Sequence, residues 1–325
     1  MKRFGLTLAS AALSALMLLP AVAQASELLD AKGMVVYAQM GGKPGDPTNS
    51  AREAGARSAA ALLGIKLVEQ NGGWDPQVML QQAKDALAAQ PDGIIIIGNQ
   101  GPEAFVNFLK DAKDQGIAVV VEGGNLNGTG LSYFGGDNYG TGKVLGEQLI
   151  AQGKLKAGDK AVIYGDFANP ALADIAGGTV DAFTKAGVTQ DHLQWSAEAV
   201  KDPSLAVPVL VGYLEAHPDT KAIAVPGHGG ITAVLQKVLE GAGKQPGEVV
   251  AGGYDISPAS LEGLRKGYLT VVIDQQFYLQ GYMAVMQVVL EKKYDLKNIV
   301  VNTATGVITK DNVEDVAALV ERGVR

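Results

Sequence analysis

Four consecutive isoleucines, Ile94, Ile95, Ile96 and Ile97, constrain this chain more than any other feature, and Val119, Val120 and Val121 repeat the pattern. A strand with one wet face alternates apolar and polar residues, so a run without polar alternation must be covered on both faces. Parallel sheets flanked by helices provide that cover. The rest of the sequence has the matching rhythm. Short apolar runs predict strands over 34–37, 65–69, 94–97 and 118–122, and amphipathic stretches predict helices over 48–63, 76–89 and 102–113. After Gly135 the pattern resumes, with helices expected at 141–151, 175–186, 205–216, 231–241, 258–266 and 280–291. Strands are expected between them at 160–164, 193–196, 221–225, 249–252 and 269–274. Alternation of this kind implies parallel strands joined by right-handed crossovers.

One sheet would need about ten strands, so two sheets of five or six fit better. A length of 325 residues also suits two domains. No Pro/Gly/Ser-rich linker divides the chain, so the two units must be joined by short crossovers. Ligands bind outside the carboxyl ends of strands in open parallel sheets. Two such sheets facing each other enclose one cleft, and the crossovers become hinges.

Composition excludes several classes. A net charge of −7 lacks the basic footprint that neutralises phosphates, so no nucleic-acid partner is expected. With no Cys there is no disulfide, thiolate nucleophile, Cys-ligated metal or lipid-anchored cysteine. The three His, at 192, 217 and 228, have no i, i+4 spacing, so neither a metal nor a cofactor is expected. Residues 1–25 read as a signal peptide: Lys2 and Arg3 precede an apolar stretch, and Ala23-Gln24-Ala25 is a small-residue cleavage site. The apolar stretch is shorter than the ~20 residues that span a bilayer. Cleavage after Ala25 removes two cations and no acid, taking the charge from −7 to −9, and the expected location is the periplasm.

Four blocks then carry a resemblance. They are Asp75-Pro76-Gln77 with Gln90-Pro91-Asp92-Gly93 before the isoleucines, Gly136-Asp137-Asn138-Tyr139-Gly140-Thr141-Gly142, His217-Pro218-Asp219, and Gly253-Tyr254-Asp255. In this order and spacing they resemble the periplasmic sugar-binding proteins of ABC importers, the ribose-binding-like or type I group. The resemblance implies an α/β fold of two doubly wound parallel-sheet lobes joined by a three-crossover hinge. Residues 26–136 plus 276–301 would form the N-terminal lobe, and 137–275 plus 302–325 the C-terminal lobe. It also implies a monomer that captures a sugar or polyol and delivers it to an ABC permease in the inner membrane.

Site residues follow from the same comparison. Asp255 matches the family's acidic sugar ligand, Gln275 a hinge glutamine, with Gln276 equally placed because a slip of one residue turns the side chain to the other face, and Glu122 a strand-end position usually held by Asp. Carboxylates and amides pair with vicinal hydroxyls, which suits such a ligand. Departures are equally clear. Gly123 stands where an Arg often follows the first acid, and Gly45-Asp46-Pro47-Thr48-Asn49 replaces an aromatic segment, so Asp46 and Asn49 are candidates to bind by hydrogen bonds instead. His228 occupies a position often held by Asn. Phe167 and Asn169 fall where an Arg is expected, and Phe167 or Trp195 can supply a stacking platform. Trp74 reads more simply as a surface packing residue.

Three other classes fit parts of the sequence. Glu122 and Asp255 as paired carboxylates suit a secreted sugar-modifying enzyme. No nucleophile elbow or phosphate-binding loop occurs, however, and three scattered His give no catalytic set. A sensory binding protein for a non-carbohydrate polar ligand shares the architecture. A sugar-responsive repressor would need a DNA-binding headpiece, and the export signal stands in its place.

Overall fold

A computed structural model describes residues 30–46 and 49–325; the expected signal segment lies outside the described residues, as do Pro47 and Thr48. The first sheet takes β1 (Val35–Gly41), β2 (Lys66–Asn71), β3 (Gly93–Ile97), β4 (Ala118–Gly123) and β5 (Ser132–Gly135), with β11 (Val300–Asn302) on its edge. Its order is β11-β5-β4-β3-β1-β2 and every pair is parallel. The second sheet holds β6 (Lys160–Gly165), β7 (Thr189–Gln194), β8 (Thr220–Val225), β9 (Val250–Tyr254), β10 (Val271–Asp274) and β12 (Gly306–Ile308). Its order is β12-β10-β9-β8-β6-β7, parallel except for the antiparallel β10–β12 pair. The chain passes between sheets after β5, after β10 and after β11, which gives the three crossovers.

The isoleucine run shows why both faces had to be covered. Ile95 and Val120 point into one core with α1 (Ser50–Leu63) and α10 (Phe277–Tyr294). Ile94, Ile96, Val119 and Val121 point the other way, against α2 (Pro76–Ala88) and α3 (Pro102–Asp114). The second sheet is covered likewise. On one face lie α4 (Asn138–Gly153) and α5 (Pro170–Lys185). On the other lie α7 (Ala206–Ala216), α8 (Gly229–Gly241), α9 (Pro258–Lys266) and α11 (Val313–Glu321). No helix among the described residues is long and apolar enough to cross a membrane.

The same packing device serves both lobes. A Cβ at Gly55 would collide with the Tyr278 carbonyl, and one at Gly281 with the Arg52 carbonyl, so α1 and α10 meet backbone to backbone. In the second lobe Gly178 of α5 packs against the Tyr139 carbonyl of α4. Its neighbour Gly177 faces open space. Gly178→Ala should therefore destabilise by about 1–3 kcal/mol through overpacking, while Gly177→Ala should be neutral or stabilising by ~0.5–1 kcal/mol from helix propensity. Urea denaturation of the two variants checks this; equal effects would show that the helices separate easily.

The structure corrects several boundaries. The helix expected at 175–186 begins at Pro170, because Asn169 caps it by accepting from the Leu172 N–H at 3.3 Å. The strand expected at 193–196 lies at Thr189–Gln194; it is a sheet edge with the polar sequence TQDHLQ, so hydropathy gives little sign of it. Short β5, β11 and β12, the five-residue α6 (Ala197–Lys201) and α11 were not anticipated. The three short strands have only three or four residues each, too few to show a period.

Candidate functional site

Between the lobes, at the carboxyl ends of both sheets, lies a cavity of about 780 Å³. That is within the ~300–1,000 Å³ typical of small-molecule sites. Its walls include Trp74, Trp195 and Phe277, the amides Asn99, Gln100, Asn138 and Gln275, and the charged residues Asp46, Arg52, Asp75, Asp166, Lys201 and Asp255. At its mouth Lys201 Nζ of the second lobe meets Asp75 Oδ2 of the first at 3.3 Å. The Lys201 side chain is exposed and that of Asp75 half-buried, open enough to solvent that this bridge adds little stability.

Asp255 follows directly from β9 and sits in the left-handed region at φ 63°. Aspartate tolerates that conformation better than most side chains, and such backbone is common where function dictates geometry. Gln275 Nε2 donates to Asp255 Oδ1 at 2.7 Å, so the two residues expected to bind a ligand lie side by side in the cavity wall. Burial pushes the Asp255 carboxyl up to about 7, against the opposing pull of Gln275 and Arg52.

Arg52, which the sequence reading passed over, stands opposite in the cavity wall. Its Nε lies 2.8 Å from Glu122 Oε2, and both side chains are 2% exposed. One terminal nitrogen donates to the Met40 carbonyl at 3.1 Å and to Asn49 Oδ1 at 2.8 Å; the other donates to Gln280 Oε1 at 3.1 Å. The guanidinium lies 4.4 Å from the Phe277 ring centroid and 5.9 Å from that of Trp74. The arginine missing beside Glu122 in sequence is thus supplied in space by α1, whose close approach to α10 brings Gln280 within reach. Burial raises Glu122 to about 7 in spite of Arg52 and lowers Arg52 from its ordinary value. Glu122 and Asn49 therefore hold Arg52 from behind, and neither lines the cavity.

The other expected residues divide. His228 lines the cavity, and its Nδ1 accepts from the Ile231 N–H at 3.2 Å, capping α8. Burial lowers it to about 4, so the ring is neutral at pH 7 with its proton on Nε2. Asn169 lines the cavity and caps α5, and Asp46 lines it beside the segment that lies outside the described residues. Phe167 does not line it: the ring stacks on His192 with centroids 5.1 Å apart. Trp74 is in the wall rather than on the surface, held by a left-handed turn at φ 57° against Gly41. Phe277, the first residue of α10, and Gln100 were also missed. Among the described residues no three His, Asp or Glu come together to hold a metal ion.

A family model described as periplasmic binding protein domain matches residues 40–293. The chain belongs to the periplasmic binding protein domain family. A curated relative, the xylose/arabinose-binding protein of Sulfolobus acidocaldarius, is 26% identical over 260 residues, 74% of this chain. The match covers 62% of that relative's own length. An ABC transporter solute-binding protein from Burkholderia graminis, solved with D-arabinose, is 24% identical. It superposes over 87% of this chain and 97% of its own with a TM-score of 0.77. A glucose-galactose binding protein from Geobacillus stearothermophilus is 25% identical, covering 86% of this chain and 99% of its own, with a TM-score of 0.75. The two-lobed, three-crossover architecture of this family is the one described above.

Proposed function

We propose that this protein captures a neutral sugar or polyol between its lobes and delivers it to an ABC permease. The observation that carries the reading is the interlobe cavity, where the Asp255–Gln275 pair faces aromatic walls. Carboxylate and amide groups pair with hydroxyls, and flat apolar rings suit the C–H faces of a sugar. Charge supports a neutral ligand. Four aspartates line the cavity against Arg52 and Lys201, and these are already paired with Glu122 and Asp75, so among the described residues a sugar acid or phosphate finds no uncommitted cation inside. The family, and the sugars bound by its relatives, support the same class.

The moving bodies in this reading are 26–136 with 276–301 and 137–275 with 302–325, a division supported by the sheet each strand joins. The protein works as a periplasmic monomer, exported through the segment at 1–25. Ligand closes the lobes by its greater affinity for the closed form, and the permease recognises that form.

A thermal-shift panel tests the reading on protein refolded to strip bound solutes. Pentoses, hexoses, polyols and sugar acids at 100 times a dissociation constant stabilise by about 2.7 kcal/mol where they bind, a shift of a few degrees. A selective shift from one neutral sugar or polyol without turnover is the expected result. A shift confined to acids, or consumption of the sugar, would sink it.

A further inference from the structure

We propose that the indole N–H of Trp195 is a ligand-binding donor that sets the hydroxyl specificity of the cleft, complemented by the side-chain oxygen of Gln100 from the facing lobe. The inference rests on the reading of the cleft as a sugar or polyol site. Trp195 is 3% exposed and lines the cavity. Its ring is fixed: it stands edge-on to Tyr164 and to His228, with centroids 6.1 and 5.4 Å away, and its backbone N–H donates to the Gly165 carbonyl at 3.0 Å. Yet Nε1 is buried with no hydrogen-bond partner. His228 is no acceptor for it, because Nδ1 already takes the Ile231 N–H and the neutral ring carries its proton on Nε2.

An indole nitrogen only donates, and leaving it buried and unpaired is costly. Other orphaned polar atoms among the described residues lie away from the cavity or, like Arg52 Nε, sit in an ion pair. Trp195 Nε1 and Gln100 Oε1 remain, one donor in the second lobe and one acceptor in the first. A hydroxyl accepts from Trp195, and another donates to Gln100. A ligand carrying both therefore completes each lobe's unsatisfied group only when the lobes are together. Aromatic residues in sugar sites are ordinarily assigned to stacking; here the polar edge of the ring does the selecting.

Trp195→Phe removes the N–H and keeps the edge-on packing. Calorimetric titrations of wild type and variant with D-arabinose, D-xylose, D-galactose, D-glucose, myo-inositol and ribitol identify the strongest binder, and its monodeoxy derivatives follow. Wild type should lose ~10- to 100-fold in affinity for one deoxy derivative. The variant should bind the parent more weakly by a similar factor and no longer distinguish that derivative. The chain has two Trp, so Trp74→Phe assigns the two ¹⁵N-indole signals in a direct readout that needs no Trp195 variant. The Trp195 N–H proton should move downfield and exchange more slowly with water on addition of the strongest binder. Unchanged affinity and discrimination in Trp195→Phe, or an unmoved indole signal, overturns the assignment while leaving the cleft reading intact. No binding of any probe by wild type overturns both.

Discussion

Arg52→Met should destabilise the protein by about 3–5 kcal/mol, the cost of leaving a buried charge without its partner. Glu122 is 2% exposed and Arg52 is its one cation among the described residues, while Asn49 Oδ1 and Gln280 Oε1 lose their donor in the same step. Arg52→Met combined with Glu122→Gln should recover much of that loss, because a buried pair removed together costs far less than half a pair removed alone. The single variant also has a pH signature. Without Arg52 the Glu122 carboxyl rises further above about 7, so the variant is closest to wild type near pH 5 and weakest near pH 8. Urea titrations at both pH values check this. A single-variant loss under about 1 kcal/mol would mean that water reaches the pair.

Asp255→Asn carries the second large effect, in two opposite directions. Ligand affinity should fall ~10- to 100-fold, since a hydrogen bond to a carboxylate is replaced by one to a neutral amide. Stability without ligand should move the other way as pH rises. In the fold the Asp255 carboxyl sits at about 7, well above its unfolded value near ~4. The folded state holds that proton where the unfolded chain has lost it, so the group's contribution is complete below about pH 4 and gone above about pH 7. Asparagine has no proton to lose. The variant should match wild type near pH 4, draw ahead from there, and be more stable than it by roughly 2–4 kcal/mol at pH 8, seen as a difference in urea midpoints. Identical pH profiles for the two proteins would show that Asp255 is not desolvated.

The parts of this molecule that sequence reveals are those whose meaning is local. Ile94 to Ile97 declare a strand covered on both faces wherever they fall, and Pro258 opens the helix it was expected to open. Asp255 could be placed in the cavity wall because a polar residue at a strand's carboxyl end, in a resembling block, already implies a cleft, whereas the fold had to turn Gln275 rather than Gln276 into that wall. Arg52 could not. It sits in the first turn of α1, where a charged side chain ordinarily reaches water, and Gln280 is 228 positions away. The close approach of α1 and α10 at Gly55 and Gly281 brings Gln280 within its reach, and no local signal announces that approach. Trp74 was misjudged because its direction depends on a left-handed turn, which periodicity does not register. Glu122 was read by residue type as a ligand contact, but the cavity wall in front of it belongs to Arg52. Phe167 had the right neighbourhood and the wrong direction, spent on His192.

The first sheet is completed by β11, whose Val300 pairs with Tyr133, and α10 shares with α1 the cover of one of its faces. Residues 30–135 thus cannot finish their own core. Until positions 277–302 arrive, Val36, Ala38, Ile95, Val120 and Phe134 stay half-dressed on one side. Contacts such as Ser132 to Glu291, 159 positions apart, must be found across nearly half the chain, and such distant closures slow folding. A ribosome delivering this chain from its N-terminus therefore releases a partner-seeking half, not a finished domain. Both lobes wait on chain made late, the first on 277–302 and the second on 306–321, so the last-made residues hold the key to the first-made hundred.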